Sequence, residues 1–368
     1  MKTYFSRLHY EKTPGFPDRA VLIILAAASF FYGIIVRIRN FLYDRGVLKQ
    51  KKLPVFVISI GNLTTGGTGK TPITGRIASC MTKDYGKKTA VISRGYGGKL
   101  AVKKSNIISD GNQIFFDAEL AGDEPFWIAE NSEGTVVITG RDRYKSGKYA
   151  LNKFNSEILI LDDGFQHRKL YRDLNILLID SDKIFGNNHL LPAGPLREPL
   201  NQIKRADKVV LVNKAPYFKD SEEKISGLQK VLKEKYDKES LVCKFIADGI
   251  YDITTKQPIQ RIQKAVAFSG IAQPESFFGL LQDMRIELAA KRVFSDHYIY
   301  NLEDIKALID GAQTIRADAV ITTEKDSVKI RSFMEDLESQ IPICALKLKA
   351  DLDIKKLVPP TLYCEESA

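Results

Sequence analysis

Short apolar runs alternate along this chain with stretches whose apolar positions recur at helical spacing. Pro54–Asn62 (PVFVISIGN), Thr89–Arg94, Thr135–Thr139, Glu157–Asp163 (EILILDD), Leu174–Asp180 and Lys208–Asn213 read as strands. Several are β-branched and apolar on both faces, the pattern of strands covered on each side. ITGRIASCMTKDYG, which follows the first of them, reads as a helix closed by Gly86 at its C′ position. Helical stretches separate most of the strands, so the expected fold is α/β with a mainly parallel, doubly wound sheet.

The pattern loosens over 241–263, where CKFIADGIYDITTKQPIQRIQ reads as two short strands and a turn. It then restarts with KAVAFSG as a strand, IAQPESFFGLL as a helix, another helix near Leu302–Asp310, and the strands in DAVITTEKD and IPICALKLK. The expected organisation is an N-terminal segment (1–50), a core (51–240), a linker (241–263) and a smaller C-terminal α/β domain (264–368).

One segment does not fit a soluble α/β pattern. Ala20–Val36 (AVLIILAAASFFYGIIV) runs 17 residues without a charge, bounded by Arg19 and by Arg37 and Arg39. As a helix at ~1.5 Å per residue it falls just short of a ~30 Å hydrocarbon core. It begins late and has no AxA-like exit, so it makes a poor signal peptide. A buried core helix, a spanning helix and an interfacial helix with arginines at the headgroups remain open. In either membrane reading, Arg37, Arg39, Arg45, Lys49, Lys51 and Lys52 place the rest of the chain on the cytoplasmic side.

Charge sharpens this picture. The 368 residues carry 55 Lys plus Arg against 45 Asp plus Glu, a net +10, which suits an anionic partner. No zinc-finger spacing, basic zipper or RNP-type motif supports nucleic acid, and none is expected as a partner. Cys80, Cys243, Cys344 and Cys364 are scattered without a CxxC pair, as suits a reducing compartment.

The chemistry starts at LTTGGTGKTP, between the strand Pro54–Asn62 and the following helix. Strand, glycine-rich loop, Gly-Lys-Thr and helix together make a P-loop. Thr64, Thr65, Gly66, Gly67, Thr68, Gly69, Lys70 and Thr71 would cradle a nucleoside triphosphate. The glycines let backbone N–H groups reach phosphate oxygens, Lys70 reaches the β- and γ-phosphates, and Thr71 offers a hydroxyl to Mg²⁺. Thr64 stands where the usual pattern has glycine.

EILILDD ends in Asp162 and Asp163, as a metal-binding strand after a P-loop does. The plain alternative is a pair of turn caps. Polar loops follow other strands: SRGYGG (93–98), AGDEPFWIA (121–129), GRDRYKSG (140–147) and LPAGPLREP (191–199). Asp123 suits a helix N-cap as well as a general base. His297 in SDHY and TTEKD (322–326) are the corresponding features of the C-terminal unit.

In this order, GNLTTGGTGKTP, LDDGFQHRKLYRDLNI, LPAGPLREP, FSGIAQPESFF, DHY and TTEKD resemble the tetraacyldisaccharide 4′-kinases of lipid A biosynthesis. The resemblance runs from the N-terminal helix to about Lys329, and the Thr64 departure belongs to that family's pattern. It implies transfer of the ATP γ-phosphate to the 4′-hydroxyl of a tetraacyldisaccharide 1-phosphate, a lipid of the bacterial inner membrane, at its cytoplasmic face. It implies Asp123 as general base with His297 tuning it, alongside Lys70. It further implies Thr71, Asp162, Asp163 and Glu198 serving Mg²⁺, and Arg143, Gln166 and His167 facing the substrate. The basic surplus would then meet a phosphorylated headgroup at an anionic surface.

Two other classes compete. A GTPase would carry an NKxD motif, and VVLVNKAP has Asn213 and Lys214 without the aspartate. A membrane-associated ATPase of the deviant P-loop type would place its signature lysine at Thr65.

Overall fold

The computed structural model describes residues 9–10, 16–100, 104–214, 220–271, 273–296, 298–337 and 341–363. Among the described residues, twelve strands form one sheet in the order β10-β9-β11-β12-β8-β7-β6-β1-β5-β2-β4-β3. The P-loop strand β1 (Phe56–Asn62) lies between β5 (Ile158–Asp162) and β6 (Leu174–Asp180), parallel to both. Beyond β5 come β2 (Thr89–Ser93) and β4 (Val136–Thr139); beyond β6 comes β7 (Lys208–Asn213), all parallel. β5 and β6 are buried along their whole length, which explains their unbroken apolar sequences. The strand order reverses at β1, and ligands of open α/β sheets bind beyond the carboxyl ends of strands at such a point.

The edge strand β3 (Asn106–Asp110) was not expected from the sequence. It is only half-buried at its start and pairs antiparallel to β4, so its apolar run is too short to stand out.

The largest departure is at 241–263. Instead of two short strands there is one long strand, β8 (Ser240–Asp252). Its first residues pair parallel to β7, Ser240 opposite Val209 through Lys244 opposite Asn213. From Lys244 onward it pairs antiparallel to β12 (Ile343–Asp351). A register shift between Leu346 and Leu348 accompanies Gly249 at φ +108°. Each end of β8 is thus inside a different half of the sheet, and its mixed burial hides the strand pattern. On the far side β11 (Ala319–Thr323), β9 (Lys264–Ser269) and β10 (Glu287–Val293) continue in parallel.

The helices that position the site are α1 (Phe16–Asp44), α2 (Lys70–Ser79), α3 (Asp123–Asn131), α4 (Arg143–Phe154), α5 (Ser221–Tyr236), α6 (Pro274–Asp283), α7 (Leu302–Thr314) and α8 (Glu324–Ile330). α2 closes through a π-turn, Cys80–Asp84, and Gly86 follows at φ +63°.

The N-terminal apolar run and the RIRNFLYD after it form the single helix α1. Ser29, Gly33, Val36 and Asn40 are buried, a stripe at i, i+4, i+7, i+11 that faces the core. Large apolar side chains point outward: Ile23, Ile24, Phe30, Phe31, Ile34, Ile35, Ile38 and Phe41 are all exposed. Only 17% of its most apolar window is buried, so α1 is not a core helix.

Candidate active site

The carboxyl ends of β1, β2, β4 and β5 open into a cleft of about 1130 Å³, lined also by α1 and by the C-terminal half of the sheet. Its floor is the phosphate loop. Gly69 has φ +83° and serves as N-cap of α2, a conformation that disfavours any residue with a Cβ. A Cβ there would also lie 2.7 Å from the Phe245 ring. Gly66, at φ +111°, supplies the other left-handed bend.

Thr64 at the usual glycine position is accounted for. Its φ is not positive, its side chain is buried, and its Oγ1 accepts from Asn62 Nδ2 at 3.4 Å. Its backbone pairs with Leu196 and the Thr65 N–H donates to Pro195 O at 2.7 Å, so the LPAGPLREP loop supports the phosphate loop from behind.

Lys70 donates to Asn62 Oδ1 at 3.3 Å and stands 3.6 Å from Asp163. The two aspartates diverge because Asp163 turns the chain out of β5 at φ +50°. Gly61 makes room for that turn: a Cβ there would meet the Phe165 nitrogen at 2.8 Å.

Their electrostatics are opposite. Burial would raise the Asp163 carboxyl, but Lys70 and Arg197 outweigh it and hold it down at about 2. Arg197 Nη1 donates to both Asp163 oxygens, at 3.0 and 2.8 Å. Asp162 accepts from the Thr74 hydroxyl at 3.2 Å and the Ser93 hydroxyl at 3.4 Å. Burial first, and then Glu124 and Asp163, push it up to about 7. It is the carboxylate that lacks a bonded cation.

Glu198 is buried, and the structure gives its two oxygens different roles. Oε2 accepts from Arg205 and, at 3.2 Å, from Asn40 of α1. Oε1 has no hydrogen-bond partner, with Arg39 at 4.0 Å, although Glu198 lines the cleft. Among the described residues no three acidic, histidine or cysteine side chains stand close enough to hold a metal by themselves.

Asp123 is the first residue of α3 and lines the cleft. Gly122, not Asp123, occupies the N-cap position, so the capping alternative does not hold. His297 lies outside the described residues; its neighbour Asp296 lines the cleft and stands 3.6 Å from Lys325 of the TTEKD segment.

Arg143 lines the cleft, although its observed bonds go to the backbone. It is buried at the start of α4, behind the Asp142 N-cap, and donates to the backbone oxygens of Gly140 (3.0 Å) and Asp162 (3.3 Å). It therefore buttresses the end of β5, while Arg94 and Arg141 are the exposed cations lining the cleft. Gln166 donates to Asn62 O at 2.8 Å and receives Arg197 at 3.4 Å. His167 is pushed down to about 4 by burial and by Arg143, so it is neutral near pH 7. Its Nε2 is buried without a partner in the cleft wall, ready for a ligand.

Sequence reasoning assigned no role to Asn62, Arg197, Lys214 or Phe245. Asn62 and Arg197 lie inside GNLTTGG and LPAGPLREP, so the motifs marked their place but not their partners. Helix α1 also enters the site: Tyr32, Val36 and Arg39 line the cleft. Tyr32 donates to Arg197 O at 2.8 Å and Arg39 to Gln166 O.

Comparison with known proteins bears on this arrangement. The family model described as Tetraacyldisaccharide-1-P 4′-kinase matches residues 21–360. A tetraacyldisaccharide 4′-kinase of Desulfotalea psychrophila is 41% identical over 311 residues, covering 84% of this chain and 88% of the relative. One from Geobacter metallireducens is 41% identical over 322 residues, covering 87% and 92%. The crystal structure of an "apo" form LpxK from Aquifex aeolicus in complex with ATP superposes with a TM-score of 0.69 at 33% identity, covering 94% of this chain and 100% of that one. With the match extending over nearly the whole length of the chain, from α1 into its last turn, the chain belongs to the tetraacyldisaccharide 4′-kinase family.

Proposed function

We propose that this protein transfers the γ-phosphoryl group of ATP to the 4′-hydroxyl of a tetraacyldisaccharide 1-phosphate at the cytoplasmic face of the bacterial inner membrane. One observation carries the reading. The phosphate loop, the Asp162–Asp163 pair and Asp123 share a single cleft whose wall is α1, the helix with the exposed apolar face.

In this mechanism the phosphate loop and Lys70 hold the triphosphate, and Lys70 meets the charge on the transferring group. The 4′-oxygen attacks the γ-phosphorus, its proton passes to the Asp123 carboxylate, and the bond to the β-phosphate oxygen breaks to leave ADP. His297 orients or tunes Asp123. His167, neutral and with an open Nε2, faces the sugar beside Gln166.

Mg²⁺ fits the residues present. Asp162 is crowded by negative groups and bonded only to hydroxyls, so a cation would relieve it. Thr71 and Asp162 would hold the ion against the triphosphate, with Asp163 and the orphaned Glu198 Oε1 serving it from further off. When bound it neutralises charge on the β- and γ-phosphoryl oxygens.

The membrane geometry follows from how α1 is tied down. Between Ser29 and Asp44 it bonds the core through Ser29 to Leu190 O, Tyr32, Arg39, Asn40, and Arg168 to Asp44. Among the described residues of α1, 16–28 project beyond these ties, about 20 Å at ~1.5 Å per residue, short of a ~30 Å hydrocarbon core. The helix therefore lies in the interface and brings the cleft to the lipid.

Incubating the protein with γ-labelled ATP, Mg²⁺ and tetraacyldisaccharide 1-phosphate in vesicles tests the function. A labelled bisphosphorylated lipid is expected. Release of labelled inorganic phosphate with no labelled lipid would instead make the protein an ATPase.

A further inference from the structure

A phosphate loop turns its N–H groups toward the anion, so its carbonyls face away and need donors of their own. Two of them have side-chain donors here. The Tyr10 hydroxyl donates to Thr65 O at 3.1 Å, and Lys214 Nζ donates to Gly67 O. Lys214 directly follows β7, and its ammonium makes two more bonds. One goes to Asp180 Oδ2 at the end of β6, at 2.6 Å. The other goes to Gln273 Oε1, also at 2.6 Å, at the N-cap of α6 in the C-terminal half of the sheet.

An ammonium has three protons, and all three are used. Its side chain is 13% exposed and that of Asp180 is 6% exposed, so water competes little for these bonds. With no proton left for a phosphate, Lys214 acts on the nucleotide through Gly67. The bond to Gln273 spans the cleft, because residues on both sides of it, from Gly67 to Gln273, line the same cavity. Asp180 has a second task, since its Oδ1 accepts from the N–H groups of Asp182 and Lys183. The anchor beneath Lys214 is therefore itself fixed.

We propose that Lys214 is a positioning residue: it holds the phosphate loop in its anion-binding form and, through Gln273, couples that form to the C-terminal half of the molecule. The proposal rests on the kinase reading above and deepens it. A lysine that merely neutralised Asp180 would leave both the phosphate loop and Gln273 indifferent to its loss.

The test separates these roles. Lys214→Met alone strands a buried carboxylate, so Lys214→Met/Asp180→Asn is the informative variant. ATP affinity is read by titration with a fluorescent ATP analogue, which needs no phosphate transfer. The double variant is expected to bind ATP about tenfold more weakly with an unchanged melting temperature and a lipid KM within twofold at saturating ATP. Lys214→Arg should recover part of the ATP affinity. Gln273→Ala should leave ATP affinity within twofold, lower kcat at least threefold, and cost nothing further in the double variant.

Wild-type ATP affinity in the folded double variant would overturn the proposal. So would losses from Lys214 and Gln273 that multiply. Should the double variant fail to fold, Lys214→Arg and Gln273→Ala alone decide the matter by the same two readouts. Were the wild-type protein to bind ATP without phosphorylating lipid, the kinase reading would fail while the ATP titrations still judged the role of Lys214.

Discussion

Replacing Asp162 by asparagine should make the ligand-free protein more stable at pH 8 while destroying its activity. The carboxyl of Asp162 is pushed from an ordinary 3.8 up to about 7 by burial, Glu124 and Asp163. A folded-state pKa above the unfolded value means that the native protein binds this proton more tightly. The stability linked to it is fully present below pH ~4, falls as pH rises toward about 7, and is flat above that. At ~1.4 kcal/mol per pH unit, the span from 3.8 to 7 amounts to roughly 4 kcal/mol of destabilisation in the metal-free protein. Asparagine is neutral at every pH and can still bond the Thr74 and Ser93 hydroxyls. Thermal melts in EDTA should therefore place Asp162→Asn roughly 5 °C above wild type at pH 8. The difference should shrink to near zero at pH 4. Addition of ATP and Mg²⁺ should reverse the order, because a cation would neutralise the wild-type carboxylate but gain little from the amide, and turnover should drop about 10²-fold or more. A variant that is destabilised equally at every pH would refute the reasoning, since Asp162 would then be held by its hydroxyl partners and not strained by its charge.

Three further outcomes follow from the same geometry. Lys70→Ala should lower turnover at least ~10²-fold in the labelled-ATP assay, and near-normal transfer by a folded variant would remove the phosphate-loop assignment. Asp123→Ala should abolish most lipid phosphorylation with ATP binding nearly intact, a loss of roughly 10²–10⁴-fold. His297→Ala should cost less and add little in the double variant, whereas multiplicative losses would place His297 in another role. Phe31→Glu/Ile35→Glu alters side chains that are 65% and 66% exposed, so the melting temperature should hold while flotation with anionic vesicles falls. A drop in melting temperature of the size seen for a core change would show that this face is covered by protein.

The elements around the phosphate loop were legible in the sequence because their signals are local. β6 and β7 have the boundaries their apolar runs announce, and β1 and β5 differ from theirs only at the ends. A buried parallel strand must be apolar on both faces, and a phosphate loop must have glycine where φ is positive, as at Gly66 and Gly69. The candidate site was legible to the same depth. The chain order of the motifs marked which loops meet, and the cleft does gather Lys70, Thr71, Asp123, Asp162, Asp163, Gln166, His167 and Glu198.

What only the tertiary structure decided concerns partners distant in the chain. Burial and neighbouring charge divide two adjacent aspartates, one held near 2 by Lys70 and Arg197 and the other raised toward 7. Nothing in the letters DD could show this, because Lys70, Arg197 and Glu124, which set the two apart, lie 34 to 93 positions away along the chain. Arg143 and Arg141 are alike in sequence, yet the turn at the Asp142 N-cap buries one and exposes the other. The segment 241–263 looked like a linker because β8 changes partners halfway, parallel to β7 and then antiparallel to β12, and so never settles into one burial pattern. The helix α1 was apolar by composition alone, but which of its faces meets the core was set by Ser29, Gly33, Val36 and Asn40 finding the LPAGPLREP and DDGFQHR loops. That stripe packs inward, closest at Gly33, where a Cβ would meet Leu190 at 2.9 Å, and the large apolar side chains are left exposed on the opposite face.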